Sequence, residues 1–164
     1  MKAPLDSPLG PHPIRCSGDM VHCEEGLTPR RATKDSAGYD FLCPKDVIFE
    51  PGVVTRIDSG VRFTGDEQVE IVRGDMHIVT DEWFMMIVPR SGLGMKYGMR
   101  WTNTIGIIDH GYRDTIKFDI VVDKHLELKK GDRFAQGILI PFCRFGDEIT
   151  PTEERKGGLG STGL

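Results

Sequence analysis

Residues 47–63 read VIFEPGVVTRIDSGVRF. Val47, Ile48 and Phe49 make a short apolar run that stops at Pro51-Gly52, a turn pair. Val53 to Phe63 then alternates loosely until Gly65-Asp66 breaks it. The same grammar repeats downstream. Val69 to Val72, a turn at Gly74-Asp75, and His77 to Val79 predict a hairpin. Trp83 to Val88, Thr104 to Ile108, Thr115 to Val122 and Phe134 to Phe142 are further runs. Each is short, rich in β-branched or aromatic residues, and bounded by Gly, Pro or Asp. No stretch longer than about ten residues carries a helical stripe, a length at which isolated helices are marginal. Ser91 to Tyr97 has room for one short helix. Short strands at this spacing point to an all-β sandwich, jelly roll or barrel.

The flanks are different. Residues 1–29 hold prolines at 4, 8, 11, 13 and 29 and read as an extended arm with at most one short strand, around Ile14 to Cys16. The last ten residues, RKGGLGSTGL, carry four glycines and two basic residues. A frayed terminus and a phosphate-wrapping segment both fit that composition. The whole chain has 164 residues, 38% hydrophobic and 28% charged, which suits one domain with tails and excludes wholesale disorder. A net charge of −4 disfavours a nucleic-acid binder. No stretch approaches the ~18 apolar residues of a membrane span. The start, MKAPLDSPLGPHPIR, lacks the apolar run of a secretory signal. Cysteines at 16, 23, 43 and 143 form no Cys-x-x-Cys pair, so free buried thiols are expected. A zinc site from Cys16, Cys23 and His22 is the alternative, without the usual ligand spacing.

Four segments break the strand pattern in ways a core does not need: Ser36 to Asp40, Pro89 to Gly98, Asn103 to Arg113, and the Gly-rich tail. All combine Gly with hydroxyl, acid or Arg. That mixture suits a polyanion with a metal ion, since Arg and backbone amides meet phosphate oxygens and a carboxylate holds Mg²⁺ through water.

In these segments the sequence resembles the trimeric dUTP pyrophosphatases (dUTPases). Ala37-Gly38-Tyr39-Asp40 is similar to their first motif, and Pro89 through Gly98 to their second. Gly106 through Arg113 is similar to the third, Gly131 through Gln136 to the fourth, and Gly157 through Gly163 to the fifth. Five motifs in order, spread from about residue 28 to 164, make a specific signal. The resemblance implies a distorted jelly-roll-like β-barrel over 30–150, with an extended arm at 1–29. It also implies a flexible Gly-rich arm at 151–164 that closes a neighbouring active site. The implied reaction is Mg²⁺-assisted hydrolysis of dUTP to dUMP and pyrophosphate, which limits uracil in DNA and supplies dUMP. The implied assembly is a homotrimer with sites at subunit interfaces. No membrane or direct nucleic-acid partner is expected, and the expected location is the cytoplasm, a host's if the source is viral.

Roles transfer residue by residue. Asp109 stands where the family keeps its general base, which deprotonates the water attacking the α-phosphate. Tyr112 would lie under the deoxyribose and exclude a 2′-hydroxyl. Asn103, with Gly106, Ile108 and the 103–108 backbone, would read the uracil edge. Arg90, Ser91, Gly92 and Gln136 match triphosphate contacts, and Asp40 matches the acid near the metal-bound phosphates. Arg155, Leu159, Gly160, Ser161 and Thr162 would reach over from the arm. Arg100 and Lys117 are read as surface charges.

The sequence also departs from the family. Position 159 is Leu where Phe usually stacks on uracil. Arg155 stands one residue closer to the Gly pair than usual, and Asp114 replaces a customary Gly. About ten extra residues fall between Asp40 and Arg90, placed here in the hairpin around 67–82, since surface loops tolerate insertion. Two other readings use the same residues. One is a dCTP deaminase of the same fold, with Asp119 near the place of its strand glutamate. The other is a regulatory binding protein acting through the insertion and the N-terminal arm.

Overall fold

Alternating burial along one strand organises the molecule. In the computed structural model, which describes residues 14–17, 20–22, 24–63, 68–73, 76–80, 82–144 and 146, Trp83, Met85 and Ile87 are buried while Phe84, Met86 and Val88 between them are partly exposed. That period of two marks a strand with one face on the core. Fourteen strands and one helix are described. They run β1 (Ile14–Ser17), β2 (Met20–His22), β3 (Tyr39–Leu42), β4 (Val47–Phe49), β5 (Thr55–Asp58), β6 (Val61–Phe63), β7 (Gln68–Arg73) and β8 (Met76–Thr80). There follow β9 (Trp83–Pro89), α1 (Ser91–Tyr97), β10 (Arg100–Trp101), β11 (Gly106–Asp109), β12 (Lys117–Val121), β13 (Leu126–Leu128) and β14 (Arg133–Pro141).

Every strand pair is antiparallel. The largest sheet has the order β11-β9-β14-β3, and a second has the order β10-β12-β5. Two-stranded pairs β13-β4 and β2-β6 complete the body, and β1-β7-β8 forms a separate three-stranded sheet. The expected all-β architecture with one short helix is what forms, and α1 has the expected bounds.

The core is aromatic. Phe118 meets Phe41, Trp101 and Phe134 at ring-centroid distances of 5.5, 5.3 and 5.0 Å, and Phe63 meets Trp83 at 4.9 Å. Such edge-on pairs add ~0.5–1.5 kcal/mol beyond burial. Gly137 lies beneath them, where a Cβ would come within 2.5 Å of the Met85 sulfur and 3.0 Å of Phe41. Helix α1 buries no residue and ends at Gly98, whose φ of 66° and N–H to Gly94 O (2.9 Å) close the last turn.

The predicted hairpin exists as β7 and β8, in register from Val69↔Thr80 to Arg73↔Met76; its turn lies outside the described residues. Several expectations needed correction. The N-terminal stretch holds two strands rather than at most one: β1 pairs with β7, and β2 pairs with β6. The run from Val53 to Phe63 is two strands, because Gly60 (φ 68°) turns the chain between them. Strands β3, β10 and β13 were not foreseen. Of the cysteines, Cys43 is buried but Cys143 is exposed, against the expectation of buried thiols. Burial pushes the Cys43 thiol up, which makes it inert. The zinc alternative rests on side chains outside those described. No helix among the described residues is long and apolar enough to cross a membrane.

The outer face of the largest sheet is apolar as well. Ile107, Met86 and Ile138 stand in one row across β11, β9 and β14, and Phe84 and Ile140 in the next but one. Ile107 is 52% exposed and Phe142, beside Phe84, is 42% exposed.

Candidate active site

The residues picked out by sequence fall into two groups, one just past the last residue of β9 and one on the hairpin beside it, which runs from Gly106 opposite Ile87 to Asp109 opposite Phe84. The first gathers where β9 leaves the sheet. Pro89 is in register with Ala135, and Val88 with Gln136, which in turn faces Asp40 on β3. The chain then turns at Arg90, whose N–H donates to Phe134 O (3.2 Å) and whose carbonyl accepts from Leu93 and Gly94 N–H (both 3.0 Å), starting α1. Asp40 is 6% exposed. Its two oxygens face two guanidiniums, Arg90 Nε at 3.2 Å and Arg133 Nη1 at 3.2 Å. A guanidinium carries five N–H donors, so each arginine keeps others for an anion. Ser91 and Gly92 are exposed beside Arg90. Gly38 lets its loop lie on Gln136, since a Cβ there would be 2.9 Å from Gln136 Oε1. The cluster is a buried carboxylate propping up two partly exposed cations, with small or amide groups around them.

The second group is built on the hairpin between β10 and β11. Trp101 anchors it through Nε1 donating to Ile87 O (2.9 Å), and Thr102 N–H donates to Asp119 O (3.0 Å). Thr104 takes φ 68°, a left-handed conformation that a β-branched residue adopts only when its surroundings force it. The force here is a tight tip: Thr104 N–H reaches Trp101 O (3.2 Å) and Ile105 N–H reaches Asn103 O (2.8 Å). Between this hairpin and β12 lies a pocket of about 150 Å³, walled by Asn103, Gly106 and Ile108 on one side and Lys117, Phe118 and Asp119 on the other. Gly106 faces Ile87, with room for a Cβ only at 3.3 Å from the Ile87 Cβ.

Asp109 ends β11 opposite Phe84 and is exposed. Tyr112 N–H donates to Asp109 O (2.9 Å), which closes the turn after it. Tyr112 is 5% exposed, packs with the hydrophobic core, and its hydroxyl donates to Thr115 O (3.0 Å).

Asp109 and Arg90 of one chain stand apart. Asp109 lies beside Phe84, and Arg90 is six residues further along, about 20 Å at ~3.3 Å per residue. The arm residues Arg155, Leu159, Gly160, Ser161 and Thr162 lie outside the described residues.

Sequence reading passed over Arg133 and Lys117 and weighed Asp119 only for the deaminase alternative. Arg133 shares Asp40 with Arg90. Lys117, read as a surface charge, lines the pocket, and so does Asp119. The signal was present: in β12, Lys117 and Asp119 alternate with buried Phe118 and Ile120, which puts both on one face. Arg56 Nε and Nη2 hold Asp119 at 2.6 and 2.7 Å and keep its carboxyl below the usual range.

Among the described residues no three His, Cys, Asp or Glu side chains gather to hold a metal. Asp40 is the acid of the cation cluster, and both its oxygens already face arginines. This donor set fits Mg²⁺ carried on a triphosphate and met through water, rather than a protein-held ion.

The dUTPase family model matches residues 24–163. The chain is 34% identical over 146 residues to the deoxyuridine 5′-triphosphate nucleotidohydrolase of Nautilia profundicola, covering 85% of this chain and 93% of that one. It is 31% identical over 148 residues to the enzyme of that name from a Hydrogenobaculum species, covering 86% and 93%. In fold it is similar to the Streptococcus mutans dUTPase (TM-score 0.57, 22% identity, 79% of this chain and 97% of that one). It is likewise similar to a dUTPase from phage phi11 of S. aureus (TM-score 0.58, 18% identity, 88% and 99%). A family-model match over residues 24–163, with relatives above 30% identity along most of both chains, means that this chain belongs to the dUTPase family.

Proposed function

We propose that the protein hydrolyses dUTP to dUMP and pyrophosphate at a site shared between copies of the chain. The observation that carries this reading is the pocket between the 103–108 hairpin and β12, followed directly in sequence by an exposed carboxylate. The base enters the pocket beside Asn103, Gly106 and Ile108. The deoxyribose lies on the Tyr112 ring, which leaves no room for a 2′-hydroxyl. Asp109 takes a proton from a water molecule, the water oxygen bonds to the α-phosphorus, and the bond to the pyrophosphate oxygen breaks. A positioned base of this kind contributes ~10²–10⁴-fold.

Arg90, Ser91, Gly92 and Gln136 hold the phosphates, with Arg133 beside them. Asp40 orients both arginines and stands where a water-mediated contact to the metal-bearing phosphates is available. When bound with the triphosphate, Mg²⁺ would supply charge neutralisation for the leaving pyrophosphate, and Asp40 is the residue that would meet it through water. The phosphorus under attack and the phosphates being held are neighbours, yet Asp109 and Arg90 of one chain are about 20 Å apart by strand rise. Two copies must therefore contribute to each site. The apolar outer face of the largest sheet gives them a surface to bury, and a homotrimer, with the Gly-rich arm 151–164 of a neighbour as lid, is the assembly we favour. Arm residues Arg155, Leu159, Gly160, Ser161 and Thr162 then complete the enclosure, and exclusion of water strengthens each phosphate contact. A cytoplasmic location goes with this activity.

Deamination of dCTP fits less well. Asp119 would have to pass protons at a ring carbon, and Arg56 keeps it ionised. The test is incubation with dUTP and Mg²⁺. The expected products are dUMP and pyrophosphate, with little turnover of UTP. Ammonia release from dCTP without pyrophosphate would replace this reading with the other.

A further inference from the structure

The turn that follows Asp109 is held from the core side by a residue the mechanism does not use. Burial alternates along β11, with Gly106 and Ile108 partly buried and Ile107 and Asp109 exposed, and the partly buried His110 continues the rhythm. Asp109 stands in register with Phe84, on the outer face of the sheet. The His110 ring goes the other way. Its centroid lies 5.1 Å from that of Trp83, the residue before Phe84, with the ring planes at 76°. Trp83 is fully buried and is met in turn by Phe63 at 4.9 Å and 78°. Phe63, Trp83 and His110 thus form a row of rings, edge to face, that runs from the core to the residue beside the proposed base. The backbone of the same turn is tied as well. Tyr112 N–H donates to Asp109 O (2.9 Å), and Arg113 Nη1 donates to His110 O (2.6 Å). Gly111, between them, brings no side chain to anchor, and nothing lies within 4 Å of where its Cβ would stand.

We infer that His110 is a positioning residue for the reaction: its ring, seated against Trp83, fixes the strand end from which the Asp109 carboxylate reaches its water. This rests on the hydrolysis reading above and adds to it a residue that does not touch the nucleotide. Asp109 and His110 are adjacent in sequence and leave the chain on opposite faces, as the strand period requires. Anchoring one side chain to the core therefore sets the direction of the other. An edge-to-face meeting of two rings is a favoured geometry, so the anchor has a preferred orientation as well as a preferred place. The demand on placement is severe, because a reacting group displaced by about 1 Å loses on the order of 10²-fold in rate.

The test compares the full chain with His110→Ala and His110→Phe. Three quantities are measured: steady-state pyrophosphate release from dUTP, calorimetric binding of a dUTP analogue with an imido bridge between the α- and β-phosphates, and hydrogen exchange at the Tyr112 amide. His110→Ala should lower kcat about tenfold or more while KM and analogue affinity stay within about twofold of the parent's. Exchange at Tyr112 N–H should become faster in the same variant. His110→Phe keeps a ring against Trp83 and should bring kcat back to within about threefold of the parent, with slow exchange restored. A parent-like kcat in His110→Ala would overturn the inference. So would a His110→Phe as slow as His110→Ala, which would assign the loss to the imidazole nitrogens and not to the ring contact. A slow His110→Ala with parent-like exchange would make His110 a group that acts on the substrate, and a slow one with weakened analogue binding would make its effect a general loss of structure; either overturns the positioning role. Failure of the hydrolysis reading looks different: the parent itself would release no pyrophosphate from dUTP, and the inference would fall with it.

Discussion

Asp40 and Asp109 are two carboxylates in one sheet with opposite surroundings. Asp40 is buried and shared between two arginines; Asp109 sits at the open end of β11. The difference separates an acid held still by its neighbours from one that faces solvent. A carboxylate between two guanidiniums is held in place by both, while one at an exposed strand end is reached by solvent.

Substitution at each acid can break that contrast. Asp109→Asn should cost about 10²–10⁴ in kcat while leaving nucleotide affinity close to the parent's, read by single-turnover kinetics beside calorimetry. An equal loss in both quantities would make Asp109 a binding group. Asp40→Asn should act first on the fold. It removes the charge that two partly buried guanidiniums share, at a cost of about 2 kcal/mol in a denaturant titration. Weaker nucleotide binding should accompany it, because Arg90 loses its prop. On the base side, Leu159→Phe should tighten nucleotide binding by the ~0.5–1.5 kcal/mol of aromatic stacking, seen as a lower KM.

The smallest effect lies far from both clusters. His125, paired with Glu50 and then Glu127, should titrate above the ordinary value of 6.5 in an NMR pH series. Its protonated form is favoured by the fold. Its contribution is therefore complete below the unfolded value and disappears as pH rises through the folded one. Asp119 has the opposite sign: its pair with Arg56 helps above the ordinary value of 3.8 and is lost as pH falls through the folded value.

Much of this was legible in the chain. Apolar runs closed by Gly, Pro or Asp marked β4, β9, β12 and β14, and the gap after Pro89 marked α1. The strands that escaped are two to four residues long and held by partners distant in sequence. Arg100–Trp101 exists because it pairs with Val121 and Ile120, and Met20–His22 because it pairs with β6. No local pattern announces such pairings. The site shows the same division. Motif order located Asp40, Arg90, Asn103 and Asp109, but the partnership of Asp40 with Arg133 needed β3 and β14 to come together. Lys117 and Asp119 were visible as an alternation; Lys117 was read as a surface charge because an alternating charge is usually a solvated one, and only the fold puts both beside the pocket.

One strand, β9, carries the phosphate clamp past its last residue and holds the proposed base beside its second. If each chain lends its head to one reaction and its tail to another, two dead proteins can repair each other. Chains bearing Asp109→Asn and chains bearing Arg90→Ala, unfolded together in equal amounts and refolded, should recover about a quarter of the sites, because head-to-tail closure lets intact halves from different chains meet.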